Sequence, residues 1–193
     1  MARVSTFQTR LGTSLLWRAI PALLSAVIIT FSRNHSPLIG LSVFAGYAIV
    51  ASVIMFVSVA RVPLTGSDRI LFGIQAVVTG TSGIIALCAL GGGLSALVLV
   101  LSLWAALTAA LELYAGYRHS DRAISREWLT VGALTAILTI IVALFPVNDV
   151  YAVGLFGAYG AILGVYLVIA GISLRSDEPA SARTTTEENE TQP

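Results

Sequence analysis

Six apolar runs decide what this chain can fold into. They lie at roughly 11–32, 38–60, 69–90, 94–116, 128–146 and 149–174. Each reaches the ~20 residues that an α-helix needs to cross the hydrocarbon core of a bilayer. Lipid offers no hydrogen-bond partner to an exposed backbone, so runs of this kind must be helical. Turn signals part them: Pro37, Pro63 with Gly66, the triplet Gly91–Gly93, and Pro146 with Asn148 and Asp149. Only 11% of the 193 residues are charged, against roughly 25% in a soluble domain. The expected fold is all-α: a polytopic membrane protein with six transmembrane helices.

The first run resembles a secretion signal, with Arg3, Arg10 and Arg18 ahead of AIPALLSAVIITF. No small-residue cleavage site follows it, so an uncleaved helix is expected, with Pro21 able to kink it. Orientation follows from the arginines. Arg3, Arg10, Arg18, Arg61, Arg69, Arg118, Arg122, Arg126, Arg175 and Arg183 fall on one side of a six-span chain; Arg33 alone falls on the other. The positive-inside bias then places both termini in the cytoplasm. Residues 1–10 form a short cytoplasmic segment and 11–175 the membrane domain. The polar, Glu- and Thr-rich stretch 176–193 is expected to be a disordered acidic cytoplasmic tail.

The arginines also keep time. Arg61, Arg118 and Arg175 recur every 57 residues, as do Arg69 and Arg126. FAGYAIVASV at 44–53 aligns with FGAYGAILGV at 156–165. The expected unit is a two-helix hairpin present three times in parallel orientation, related by an axis along the membrane normal. Helices in lipid associate through close approach of small residues. Gly160/Gly164, Gly157/Ala161, Ala76/Gly80 and Thr79/Gly83 supply such pairs. Ala105, Thr108, Ala109, Glu112, Ala115 and Gly116 share one face of the fourth span.

Glu112 stands out as a carboxylate inside a span. It lies four residues before Gly116, about 6 Å below the helix end at 1.5 Å per residue. A charge there needs a partner. Arg126 opens the neighbouring helix at about that depth and is the first choice, Arg69 the second; Arg18 lies at a similar depth. Glu112, Arg126, Arg69 and Arg18 therefore form the candidate polar cluster.

Other chemistry is sparse. The basic residues are all Arg, which excludes a Schiff-base or P-loop Lys. No HExxH or CxxC motif is present, and His35 and His119 belong to opposite membrane faces, so no metal, cofactor or catalytic residue is assigned. Cys88, in GIIALCAL, reads as a buried inert thiol. Thr79, Thr81, Ser82, Thr130, Thr135 and Thr139 either line a polar path or bond within and between helices. Trp17, Tyr114, Tyr117 and Trp128 suit an interfacial aromatic belt. A net charge of +1 gives no sign of nucleic-acid binding.

Trp104, Thr108, Glu112, Ala115 and Arg118, followed by Ile124, Glu127, Trp128, Leu129 and Gly132 and by Phe145–Pro146, resemble in their order the HdeD-like membrane proteins. The resemblance spans about 11–175 and is sharpest over 104–175. It departs from the pattern at Ala109, where a glycine is usual. It implies a six-helix bacterial inner-membrane protein with a stress-related role and carries over no catalytic residue. The expected function is a non-enzymatic membrane component whose partners are the lipid bilayer and a protein or second copy of the chain. The alternative is a small-solute transporter or channel around a pseudo-threefold axis. A lipid-active enzyme using Glu112 as its acid comes third.

Overall fold

The computed structural model describes the backbone of residues 2–62, 66–118, 122–144 and 148–190, and the side chains of residues 10, 12–62, 66–118, 125–144 and 148–173. Pro63, His119 and Pro146 lie outside the described residues. Six helices follow in order: α1 (Ala2–Phe31), α2 (Pro37–Arg61), α3 (Gly66–Cys88), α4 (Gly93–Arg118), α5 (Arg122–Leu144) and α6 (Asp149–Glu190). All six are long and apolar enough to span a membrane, over Gly12–Phe31, Pro37–Arg61, Gly66–Cys88, Leu90–Arg118, Ser125–Leu144 and Asp149–Ser173. These windows agree with the sequence runs to within a few residues. α6 continues past its apolar window to Glu190, over residues for which composition suggests disorder; their side chains lie outside the described set.

Local chemistry sets the helix ends. Pro37 occupies the first turn of α2, where its missing N–H costs nothing. Asn148 accepts a hydrogen bond from the Tyr151 N–H at 2.8 Å, capping α6. Between α3 and α4 the chain turns through a 3-10 segment, Leu90–Gly92, and then Gly93 at φ 63°. That left-handed conformation favours glycine.

The hairpin contacts α1–α2, α3–α4 and α5–α6 are all present, yet the most extensive packing is between hairpins: α2 on α3, α4 on α5, and α6 on α1. The last pair closes the chain into a ring. α2, α4 and α6 also touch one another, whereas among the described residues α1 and α5 each pack on two helices. The result is an inner triangle of even-numbered helices with the odd-numbered ones in the clefts outside. Phe44, Leu101 and Phe156 occupy matching positions on the three inner helices, and so do Tyr47, Trp104 and Tyr159, one turn on. Their rings meet edge-on: Phe44–Trp104 at 5.1 Å, Phe44–Phe156 at 5.5 Å, Tyr47–Trp104 at 5.8 Å and Trp104–Tyr159 at 5.9 Å. This aromatic block plugs the axis.

Small residues sit where the tight pairs meet. A Cβ on Gly160 would lie 2.8 Å from the Ala22 carbonyl oxygen, and one on Gly164 3.2 Å from the Leu23 nitrogen. On the other two seams, Gly83 faces the Ala45 carbonyl and Gly132 the Leu113 nitrogen, at 3.2 and 2.9 Å for the same added carbon. The expected face of α4 is buried throughout, from Ala105 to Gly116. Outward-facing side chains are large and apolar, among them Ile84, Ile85, Leu103, Leu107 and Ile162, as a lipid-facing surface requires. Cys88 is exposed, which corrects the expectation of a buried thiol. It continues the outward stripe of Ile84 and Ile85 on α3, and an apolar neighbourhood in sequence is lipid surface as readily as core.

Gly160→Ala is expected to destabilise the bundle by about 1–3 kcal/mol, because its backbone neighbour cannot yield. Gly46→Ala, with nothing within 4 Å, is expected to be neutral or stabilising by at most ~1 kcal/mol. Thermal unfolding of the two variants in one detergent, followed by circular dichroism, checks the contrast.

Candidate functional site

Glu112 is 2% exposed and sits on the inner face of α4. Its carboxylate is met from three other helices. Arg18 of α1 approaches Oε1 at 3.8 Å. Gln75 of α3 donates from Nε2 to the same oxygen at 2.6 Å. Thr135 of α5 lies 3.2 Å from Oε2. The amide is oriented by its neighbour, since only its NH2 end can donate to a carboxylate.

The network continues into α6. Thr135 Oγ1 lies 3.1 Å from the Tyr159 hydroxyl and 2.9 Å from its own helix's Val131 carbonyl. A hydroxyl carries one proton, so Thr135 donates to one of these acceptors at a time. When it donates to Glu112, Tyr159 can donate to it in turn. One connected set of polar side chains thus joins five helices: Arg18, Gln75, Glu112, Thr135 and Tyr159. The remaining helix, α2, borders it with Tyr47, which lines the same axial cavity as Glu112 and Tyr159.

The sequence explains why these residues converge. Gln75 immediately precedes Ala76–Gly80, the small-residue pair that brings α3 onto α2. Thr135 lies one turn from Gly132, where α5 comes closest to Glu112 itself. Arg18 reaches the axis from α1 because α1 is seated on the glycines of α6. Its guanidinium lies over the Phe72 ring at 5.8 Å, and Phe72 in turn meets Trp128 edge-on at 4.9 Å.

Two small cavities flank the carboxylate. One, about 30 Å³, is lined by Arg18, Phe72, Glu112, Glu127 and Trp128 among others. The second, about 10 Å³, lies on the axis between the inner helices, with Tyr47, Thr108, Glu112 and Tyr159 in its wall. A water needs roughly 10–15 Å³ on the same measure, so the larger cavity has room for one or two and the smaller for one at most. Three buried oxygens among the described residues have no protein partner: Gln75 Oε1, Thr108 Oγ1 and Glu127 Oε2. The first two line the axial cavity and the third the other, so a water in either place finds polar contacts.

Of the four residues expected in the cluster, the structure brings Glu112 and Arg18 together. Arg126, the first-choice partner, is exposed and lines a groove between α5 and α6. Arg69 is also exposed. Both stand at a suitable depth, but their helices are rotated so that these side chains leave the axis. Trp128, expected in an interfacial belt, is half-buried against Phe72, whereas Trp17, Tyr114 and Tyr117 are exposed. Thr81, Ser82, Thr130 and Thr139 bond back to carbonyls of their own helices. Thr79 instead accepts from Trp104 Nε1 at 3.3 Å.

Gln75, Tyr47 and Tyr159 escaped the sequence reading. The signal for the tyrosines was available: they are the matched Tyr of the two aligned segments, and Trp104 fills the third position. No protein-family model, curated protein or solved structure matches the chain.

Removing one partner of a buried pair strands the other, at a cost of about 3–5 kcal/mol. Glu112→Gln and Arg18→Gln are each expected to destabilise strongly. The double variant is expected to fall short of their sum by at least ~1 kcal/mol. A double-mutant cycle from reversible denaturation in detergent measures this coupling.

Proposed function

We propose that this chain is a non-enzymatic multi-pass component of a bacterial cytoplasmic membrane, with both termini cytoplasmic, that works by binding a protein partner rather than by passing a solute. The observation that carries this reading is the blocked axis. Phe44, Trp104 and Phe156 close it with rings in edge contact, and the cavities beside Glu112 accommodate a water or two, not a solute. Glu112 also has both carboxylate oxygens engaged, by Arg18 and Gln75 on one side and Thr135 on the other. That supports an anchoring role over an acid that must exchange protons with a substrate. The cytoplasmic placement of the termini rests on the arginine bias, and a stress-related role rests on the ordered HdeD-like motif.

A transport reading has one specific observation in its favour. The hydroxyls of Tyr159 and Thr135 lead from the inner face of α6 to Glu112, as part of a proton path would. Reconstituted in sealed vesicles, the wild-type protein is expected to conduct protons and small solutes no faster than protein-free vesicles. A flux carried by the wild type and abolished in Glu112→Gln, with the variant still folded, would replace the partner-binding reading with transport. Orientation has its own check. In a Cys88→Ala background, His35→Cys is expected to react with an impermeant maleimide on intact cells, and Tyr117→Cys only after permeabilisation. The reverse pattern would invert the topology.

A further inference from the structure

The seam between α1 and α2 is held differently from the glycine-packed seams. At the arginine-rich end of the bundle it opens into a groove of about 680 Å³, within the 300–1,000 Å³ typical of small-molecule sites. Its walls are largely apolar, with Val53, Ile54 and Val57 of α2 along one side. Its floor is already satisfied, since the Ser14 and Ser58 hydroxyls bond each other at 2.6 Å. Two arginines from different helices, Arg10 and Arg61, line it, and among the described residues no acidic side chain does. Arg10 is fixed there, donating from one terminal nitrogen to the Arg61 carbonyl oxygen at 3.0 Å.

A lone arginine at a helix end is explained by its head reaching for water. Two at one largely apolar groove, with no acidic lining residue among the described ones, leave a positive potential that an anion would neutralise. The exposed indole of Trp17 flanks the same groove, and such rings settle at the level of lipid headgroups. We propose that the α1–α2 groove is a binding site for an anionic phospholipid, with the phosphate between Arg10 and Arg61 and an acyl chain along Val53, Ile54 and Val57. The α5–α6 groove is larger, about 920 Å³, and among the described residues one arginine, Arg126, lines it.

The test uses the full chain in nanodiscs of equimolar phosphatidylglycerol and phosphatidylcholine with matched acyl chains, followed by native mass spectrometry of the extracted protein. The wild type is expected to retain phosphatidylglycerol over phosphatidylcholine. Arg10→Gln with Arg61→Gln removes both basic groups and is expected to lower that preference roughly tenfold or more. Arg33→Gln with Arg69→Gln removes the same charge elsewhere and is expected to keep it. Equal retention of the two lipids by the wild type, or equal losses in both double variants, would overturn the proposal. Should the first double variant fail to fold, Val53→Trp fills the groove with both arginines in place; undiminished phosphatidylglycerol retention there would also overturn it. Inorganic phosphate is expected not to displace the lipid; displacement would mark a free-anion site instead.

Discussion

A carboxylate in the interior of a membrane bundle must be held by its neighbours or it will drive the bundle apart. Stripping an ionised group of water costs several kcal/mol even after relaxation. Here the stabilising contacts come from every side. Arg18 supplies charge, Gln75 and Thr135 supply hydrogen bonds, and Tyr159 extends the set to α6. Each partner belongs to a different helix. The network can form only when these five helices are in register, so it specifies one arrangement among the many in which apolar cylinders could pack.

The surrounding architecture serves that convergence. Lipid is as apolar as leucine and provides no hydrophobic force to assemble helices. Close backbone approach and polar contacts take its place. The glycines of α6 seat α1 against it, which brings Arg18 to the axis. Gly132 lets α5 approach Glu112 closely enough for Thr135 to reach it. Beyond the network the aromatic rings of α2, α4 and α6 fill the axis. Polar contacts thus dominate toward the arginine-rich end, and ring packing toward the other.

Much of this was legible in the sequence, for identifiable reasons. Span positions follow from runs of apolar residues, which depend on composition alone. Glu112 was conspicuous because carboxylates are rare at such depth, and the buried face of α4 followed from its three- and four-residue spacings. The partner of Glu112 was harder. Depth along the membrane normal can be counted in residues, and by depth Arg126, Arg69 and Arg18 are near equals. What separates them is helix rotation, and that is set by which glycines seat against which backbone. The seating of α1 on α6 joins the two ends of the chain, a contact that no local pattern announces. Gln75 was missed for a related reason: an amide carries no charge to flag it, and its role exists only beside Glu112.

Arg18 and Glu112 meet inside the bundle and organise it. Solid-state NMR in lipid tests this directly, through dipolar coupling between 15N-labelled arginine side chains and the 13C-labelled carboxyl carbons of glutamate. The account predicts a dephased glutamate signal consistent with the 3.8 Å nitrogen–oxygen separation, absent in both Arg18→Gln and Glu112→Gln. A signal that persists in Arg18→Gln, or that vanishes in Arg126→Gln, would contradict it.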